Sequence, residues 1–140
     1  MDEMQPMPAD WTAPDITRFT CDWFTSGRMV VQQCASCSTL QHPPEEICHV
    51  CGGFEFAGHE LPPTGTIHSF TIVRHAVTGA LADSLPYAVV LVSLDGAPQL
   101  RVVGNMPGTQ AGDITIGRAV EAYWEQRGEA LIPQWRLTPS

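Results

Sequence analysis

Apolar positions recur along this chain with two different periods, and the change between them divides it. Ile16, Phe19, Trp23 and Phe24 fall at helical spacing on one face. Pro14 and Asp15 make a suitable start and Gly27 a suitable C-terminal cap, which predicts a short helix with an aromatic stripe. That stripe either covers the protein's own core or offers a surface for a partner protein to bury. Ahead of it, Met1–Thr12, with Pro6 and Pro8, reads as a frayed arm. Beyond Gly27 the pattern turns to short extended runs at Met29–Gln33, Ser38–His42 and Phe54–Glu60, the second ended by Pro43-Pro44. After a stiff joint, Leu61-Pro62-Pro63-Thr64-Gly65, it becomes strand-like throughout. The expected strands there are Thr66–Arg74, Tyr87–Leu94, Gln99–Asn105, Ala119–Trp124 and Leu131–Leu137, with Asp95-Gly96 as the hairpin between the second and third. Tyr87–Leu94 is almost continuously apolar and predicts a central strand. Five short strands with two longer connections, His75–Pro86 and Met106–Gly117, fit a small Greek-key barrel of the OB type better than a sandwich of about seven strands. The expected fold class is therefore mainly β: an N-terminal arm and helix over residues 1–27, a small module over 28–61 and a five-stranded OB-fold barrel over 62–140.

The middle module carries the densest chemistry. Cys34-Ala35-Ser36-Cys37 and Cys48-His49-Val50-Cys51 are two Cys-x-x-Cys pairs separated by ten residues. Each pair can fold into a knuckle, so that four thiolates converge on one tetrahedral Zn²⁺ with no position left for substrate water. Cys34, Cys37, Cys48 and Cys51 are thus the expected ligands of a structural zinc ion in a rubredoxin-like ribbon. The module has too few apolar residues to fold unaided, which makes metal binding part of its folding free energy. Cys21, the fifth cysteine, reads as a small buried residue of the helix.

Composition narrows the partners. The 140 residues carry a formal net charge of −8, and all seven basic residues are arginines. A chain built to grip a phosphate backbone would show a basic stripe, and none is visible, so nucleic-acid binding is disfavoured. There is no apolar run long enough for a membrane span, and Met1–Asp10 lacks the order of a signal peptide. The expected location is the cytoplasm, where a reducing environment favours metal-bound over disulfide-bonded cysteines.

The order of aromatic helix, four-cysteine ribbon, Pro-rich joint and OB-like barrel resembles the DUF35 family, small zinc-ribbon OB-fold proteins associated with acyl-CoA. The resemblance spans about residues 14–137. It rests on Trp23, Gly27-Arg28, Gln33 to Cys37, His42-Pro43-Pro44, Cys48 to Gly52, Gly65 to Thr71, Pro86 to Val92 and Ile116 to Val120. One departure is Ser38, where such knuckles often carry glycine. The resemblance implies a non-catalytic subunit that supports a thiolase-superfamily partner making or breaking carbon–carbon bonds of acyl-CoA thioesters. Within the family the chain looks most like the branch that works with bacterial steroid side-chain aldolases.

On that reading, Ile16, Phe19, Trp23 and Phe24 are the expected partner interface, and Arg74 and Arg101 are the candidate contacts to CoA phosphates. No residue is assigned a catalytic role. His68 and His75 flank the first barrel strand but, in alternating geometry, face opposite ways with no acid beside either. The alternative from a different class is a freestanding OB protein that binds single-stranded nucleic acid, for which Phe70, Tyr87, Tyr123, Trp124 and Trp135 would supply stacking surfaces but few cations accompany them.

Overall fold

The computed structural model describes residues 2–139. Helix α1 spans only Cys21–Thr25, shorter than the periodicity predicts. Thr17 and Thr20 account for the difference. The Thr17 N–H donates to the Thr20 hydroxyl at 2.7 Å, the Thr20 N–H to the Thr17 hydroxyl at 3.3 Å, and the Thr20 hydroxyl to the Asp15 carbonyl. Short hydroxyl side chains that satisfy local backbone groups hold the chain in a turn where helix bonds would otherwise form. The C-terminal end is as expected, with Gly27 in the left-handed region at φ 66°. Cys21 is exposed, not buried.

The next three strands, β1 (Val30–Cys34), β2 (Leu40–Gln41) and β3 (Phe56–Glu60), form an antiparallel sheet in the order β2-β1-β3. Each Cys-x-x-Cys pair sits in a knuckle at the end of this sheet. The joint that follows is pinned on both sides, since the Leu61 N–H donates to the Met29 carbonyl and the Ala122 N–H to that of Pro63.

The remaining strands are β4 (Thr64–Val73), β5 (Tyr87–Leu94), β6 (Ala97–Gly104), β7 (Ala119–Arg127) and β8 (Ala130–Leu137). They pair antiparallel in the order β6-β5-β4-β7-β8. The sheet curls until its two edges meet, where the Trp135 N–H donates to the Asn105 carbonyl and the Gln134 side-chain oxygen accepts from the Asn105 N–H. This curled five-stranded half-barrel is an OB-type arrangement. β5 alternates strictly, with Ala88, Val90, Val92 and Leu94 buried and the residues between them half-buried. His68 is the extra residue of a bulge in β4, since Ile67 pairs with Val92 and Ser69 with Leu91. The simple alternation expected along that strand therefore breaks at His68.

One hydrophobic core runs through the molecule. Trp23, Met29 and Val31 belong to the same buried cluster as Ile67, Val90, Val92, Val102, Val120 and Trp135. The N-terminal arm is not frayed. Met4 is buried to 1% exposure, its N–H donates to the Thr109 carbonyl, and its own carbonyl accepts from Gly108. Arg127, only 6% exposed, donates to the carbonyls of Pro8 and Trp11 and pairs with Glu125. The arm is thus a strap across the half-barrel. The Pro-rich segment hid this, because a buried cation from a distant strand holds it.

Candidate functional site

The sulfur atoms of Cys34, Cys37, Cys48 and Cys51 all lie within 4.8 Å of one another. Cys34 and Cys51 are 3.5 Å apart and Cys37 and Cys48 3.7 Å. A tetrahedral zinc ion with Zn–S bonds of about 2.3 Å requires sulfur separations of about 3.8 Å, so the donor set fits one such ion with all four positions filled by protein. The two knuckles are built alike. The Ser38 N–H donates to the Cys34 carbonyl and the Gly52 N–H to that of Cys48, each at 2.9 Å. Both knuckles need a residue in the left-handed region, Gly52 at φ 77° and Ser38 at φ 64°. Ser38 thus adopts the backbone that glycine takes easily, at a cost of about 1 kcal/mol. The backbone hydrogen bonding is kept despite the departure noted in the sequence.

The four thiols differ in how readily they give up a proton. Thr39 places its hydroxyl 3.0 Å from the Cys37 sulfur and bonds it through its backbone as well, which holds that thiol down to about 6. Cys51 has a Gly53 N–H that lowers it, but the adjoining sulfurs of Cys34 and Cys37 outweigh this and push it up to about 12. Charge on one sulfur opposes charge on the next, and a divalent cation among them removes that opposition.

A buried amide pair sets the loop between the knuckles. Gln32 and Gln41 are 6% and 4% exposed, and the Gln41 amide donates to the Gln32 side-chain oxygen at 2.8 Å. Gln32 also bonds both the N–H and the carbonyl of Glu45, while Gln41 bonds the Ile47 carbonyl and the His49 N–H. The His49 ring meets the Gln41 oxygen too, so this histidine serves the scaffold. Two glutamines on strands do not announce burial in a sequence, since polar residues at such positions are usually solvated.

The remaining expected site residues are dispersed. Trp23 is 6% exposed and part of the core, Phe24 packs against that core, Phe19 is half-buried, and Ile16 stands 37% exposed. Arg74 is engaged by Asp2 in a two-pronged ion pair at 2.8 and 2.7 Å, which lowers the Asp2 carboxyl below the usual carboxylate range. Arg101 pairs with Ser93, opposite Thr66, whereas Arg74 follows Val73 at the far end of β4. At about 3.3 Å per residue the two arginines are on the order of 20 Å apart and do not form one phosphate site. His68 and His75 are both exposed.

His42 packs on the aromatic helix. Its ring centroid lies 4.3 Å from that of Trp23. Its Nδ1 is buried without a hydrogen-bond partner, and burial pushes the imidazole down to about 4, so it is neutral at pH 7. Its place beside two prolines was visible in the sequence, but nothing there marked it as buried.

Comparison with known proteins covers both halves of the chain. Residues 25–57 match the family described as ChsH2, rubredoxin-like zinc ribbon domain, and residues 58–125 match ChsH2, C-terminal OB-fold domain. A chain in the solved Ltp2-ChsH2(DUF35) aldolase is 34% identical with a TM-score of 0.75, the match covering 89% of this chain and 98% of that one. A DUF35-family protein of unknown function from Sulfolobus solfataricus shares 13% identity and a TM-score of 0.54, over 87% of this chain and 89% of its own, a likeness of fold alone. A curated relative from Thermomonospora curvata, a probable enoyl-CoA hydratase alpha subunit, is 35% identical over 127 residues. That match takes in 88% of this chain, which spans 39% of the relative's length.

Proposed function

Because this chain belongs to the DUF35 family, among its ChsH2-type zinc-ribbon OB-fold proteins, we propose that it is the supporting subunit of a thiolase-superfamily enzyme. The partner cleaves or forms carbon–carbon bonds of acyl-CoA thioesters, and the specific reaction is retro-aldol cleavage in steroid side-chain breakdown. The observation that carries this reading is the 34% identity, over 98% of its length, to a chain of the Ltp2-ChsH2(DUF35) aldolase. The hydratase subunit among the relatives supports an acyl-CoA substrate.

The distribution of chemistry agrees with a supporting role. A retro-aldol step needs a base for the β-hydroxyl proton and donors for the enolate oxygen. Among the described residues, His68 and His75 lie apart on the surface, and the cysteine cluster is taken up by a four-ligand structural site. The partner therefore supplies the catalytic groups. This chain supplies a surface around Ile16 and Phe19, with Arg101 as its exposed strand cation for a CoA phosphate. Four of the seven arginines are already ion-paired, Arg28, Arg74, Arg127 and Arg136, which leaves little for a nucleic-acid backbone.

Co-expression with thiolase-superfamily proteins from the same genome, then gel filtration and an acyl-CoA aldol-cleavage assay, tests the proposal. The expected result is co-elution and cleavage that requires both chains. Separate elution with no change in the partner's activity or solubility would refute it.

A further inference from the structure

Strand β3 is an edge of the ribbon sheet, paired only with β1. The register fixes which of its backbone groups face outward. The Ala35 N–H donates to the Glu55 carbonyl at 2.9 Å and the Leu61 N–H to the Met29 carbonyl at 2.8 Å, so the pairs just beyond both ends of β3 are hydrogen-bonded ones. Bonded and non-bonded pairs alternate along an antiparallel ladder. Ala57 and His59 therefore turn their backbone groups toward β1, while Phe56, Gly58 and Glu60 turn theirs away. Among the described residues, nothing bonds those outward N–H and C=O groups. Ala57, Gly58 and Glu60 are exposed, and the strand has no proline, lysine or bulge of the kind that usually blunts an edge.

A groove of about 200 Å³ lies against the same edge, between α1 and the segment at 44–46. That is below the range of about 300–1,000 Å³ usual for small-molecule sites and suits one side chain. Phe19, Trp23 and Phe54 supply its apolar walls. Asp22, Glu46 and Glu55 make its lining acidic against a single cation, Arg18. A Cβ built on Gly58 would come within 3.2 Å of the Asp22 carboxylate, so the side-chain face of Gly58 is the face that opens into this groove.

Outward N–H and C=O groups at every second residue are matched by the backbone of another strand. Opposed residues of a strand pair share a face, so the residue set opposite Gly58 sends its side chain into the groove. The acidic lining there favours Arg or Lys, whose alkyl stem lies along the aromatic walls. A second copy of this chain is a poor donor, because self-pairing would bring two sets of Asp22, Glu46 and Glu55 together in a chain of net charge −8.

We infer that β3 accepts an extended segment of a partner protein as a fourth strand of the ribbon sheet, with an Arg or Lys opposite Gly58 lying in the groove against Asp22. The inference rests on the edge and the groove of this chain and is independent of the partner's enzyme class.

The test titrates the isotope-labelled, zinc-loaded full-length chain with the blocked peptide Thr-Val-Thr-Arg-Thr-Val-Thr, followed by the backbone amide NMR signals. Two further probes are the same peptide with Glu in place of Arg and the same peptide N-methylated along its length. The Arg peptide should bind at least about tenfold more tightly than the Glu peptide, by a margin that shrinks as salt is added. It should shift the amides of Phe56, Gly58 and Glu60 and slow their exchange, and the N-methylated peptide should not bind. Asp22→Asn, at an exposed side chain, should cut the Arg-to-Glu ratio to about threefold. Glu60→Pro removes one outward N–H without taking a bond from the β1 ladder, and should weaken the Arg peptide at least about tenfold. If Glu60→Pro does not fold, the N-methylated peptide still reads the backbone contact. Equal affinity for the Arg and Glu peptides, undiminished binding of the N-methylated one, or no binding of the Arg peptide at millimolar concentration would overturn the inference. So would a dimer dispersed by Glu60→Pro, since a second copy would then hold the edge.

Discussion

Cys48 shows most directly how one residue can carry a module. It is 2% exposed and shares a sulfur cluster with three other thiols, so Cys48→Ser should both lower zinc stoichiometry and leave the protein protease-sensitive. Metal analysis with limited proteolysis checks this, and full zinc content with unchanged stability would show that the ligand set is wrong. His42 gives a pH-dependent counterpart. Its folded value of about 4 lies below the ordinary 6.5, so the unfolded chain binds more protons between those values. Stability is therefore complete above about pH 6.5 and falls, by up to about 3 kcal/mol, as pH drops toward 4. Denaturant melts across that window, with zinc content followed in parallel, should show a shallower fall for His42→Phe than for the parent. The four cysteines were legible because their spacing is itself the chemistry. His42, Gln32 and Gln41 were not, because each owes its role to burial by residues distant in sequence.

At the scale of elements, strands were more legible than the helix. Tyr87–Leu94 matches its expected bounds, since its neighbours on both sides reinforce one apolar run. α1 was over-read because periodicity registers Ile16 and Phe19 but not the competition from the Thr17 and Thr20 hydroxyls. The strap at Asp2–Trp11 was missed because its anchors, Arg127 and the Met4 pocket, lie about a hundred residues away in the chain. Arg127→Ala removes charge-assisted bonds to the carbonyls of Pro8 and Trp11 and should cost about 2 kcal/mol. Hydrogen exchange should show the loss concentrated in the strap and β7, with β5 amides still protected. A uniform loss of protection would mean that the strap and the half-barrel unfold as one unit.

For the whole molecule, the shared core decides how a partner can be met. Trp23, Met29 and Val31 join the half-barrel residues in one cluster, so the ribbon is a fixed feature of the surface presented. Ile16→Asp changes a side chain 37% exposed, and should weaken co-elution with the proposed partner by at least tenfold while lowering the melting temperature by no more than about 2 °C. A large loss of stability with binding intact would place Ile16 in the core. Trp23→Ala should do the opposite, costing about 3–5 kcal/mol. The order of modules was legible from the joint and the change of period. The continuity of the core across that joint was not, since contacts between distant segments leave no local pattern.

The nearness of Trp23 to His42, 4.3 Å between ring centroids, makes the protein its own indicator. The indole belongs to the buried cluster that joins Met29 and Val31 of the ribbon side to the half-barrel, and it is dry while that cluster is packed. Stripping the metal with a chelator should therefore move part of the tryptophan emission to the red before strand content changes, a readout of ribbon docking that requires no label.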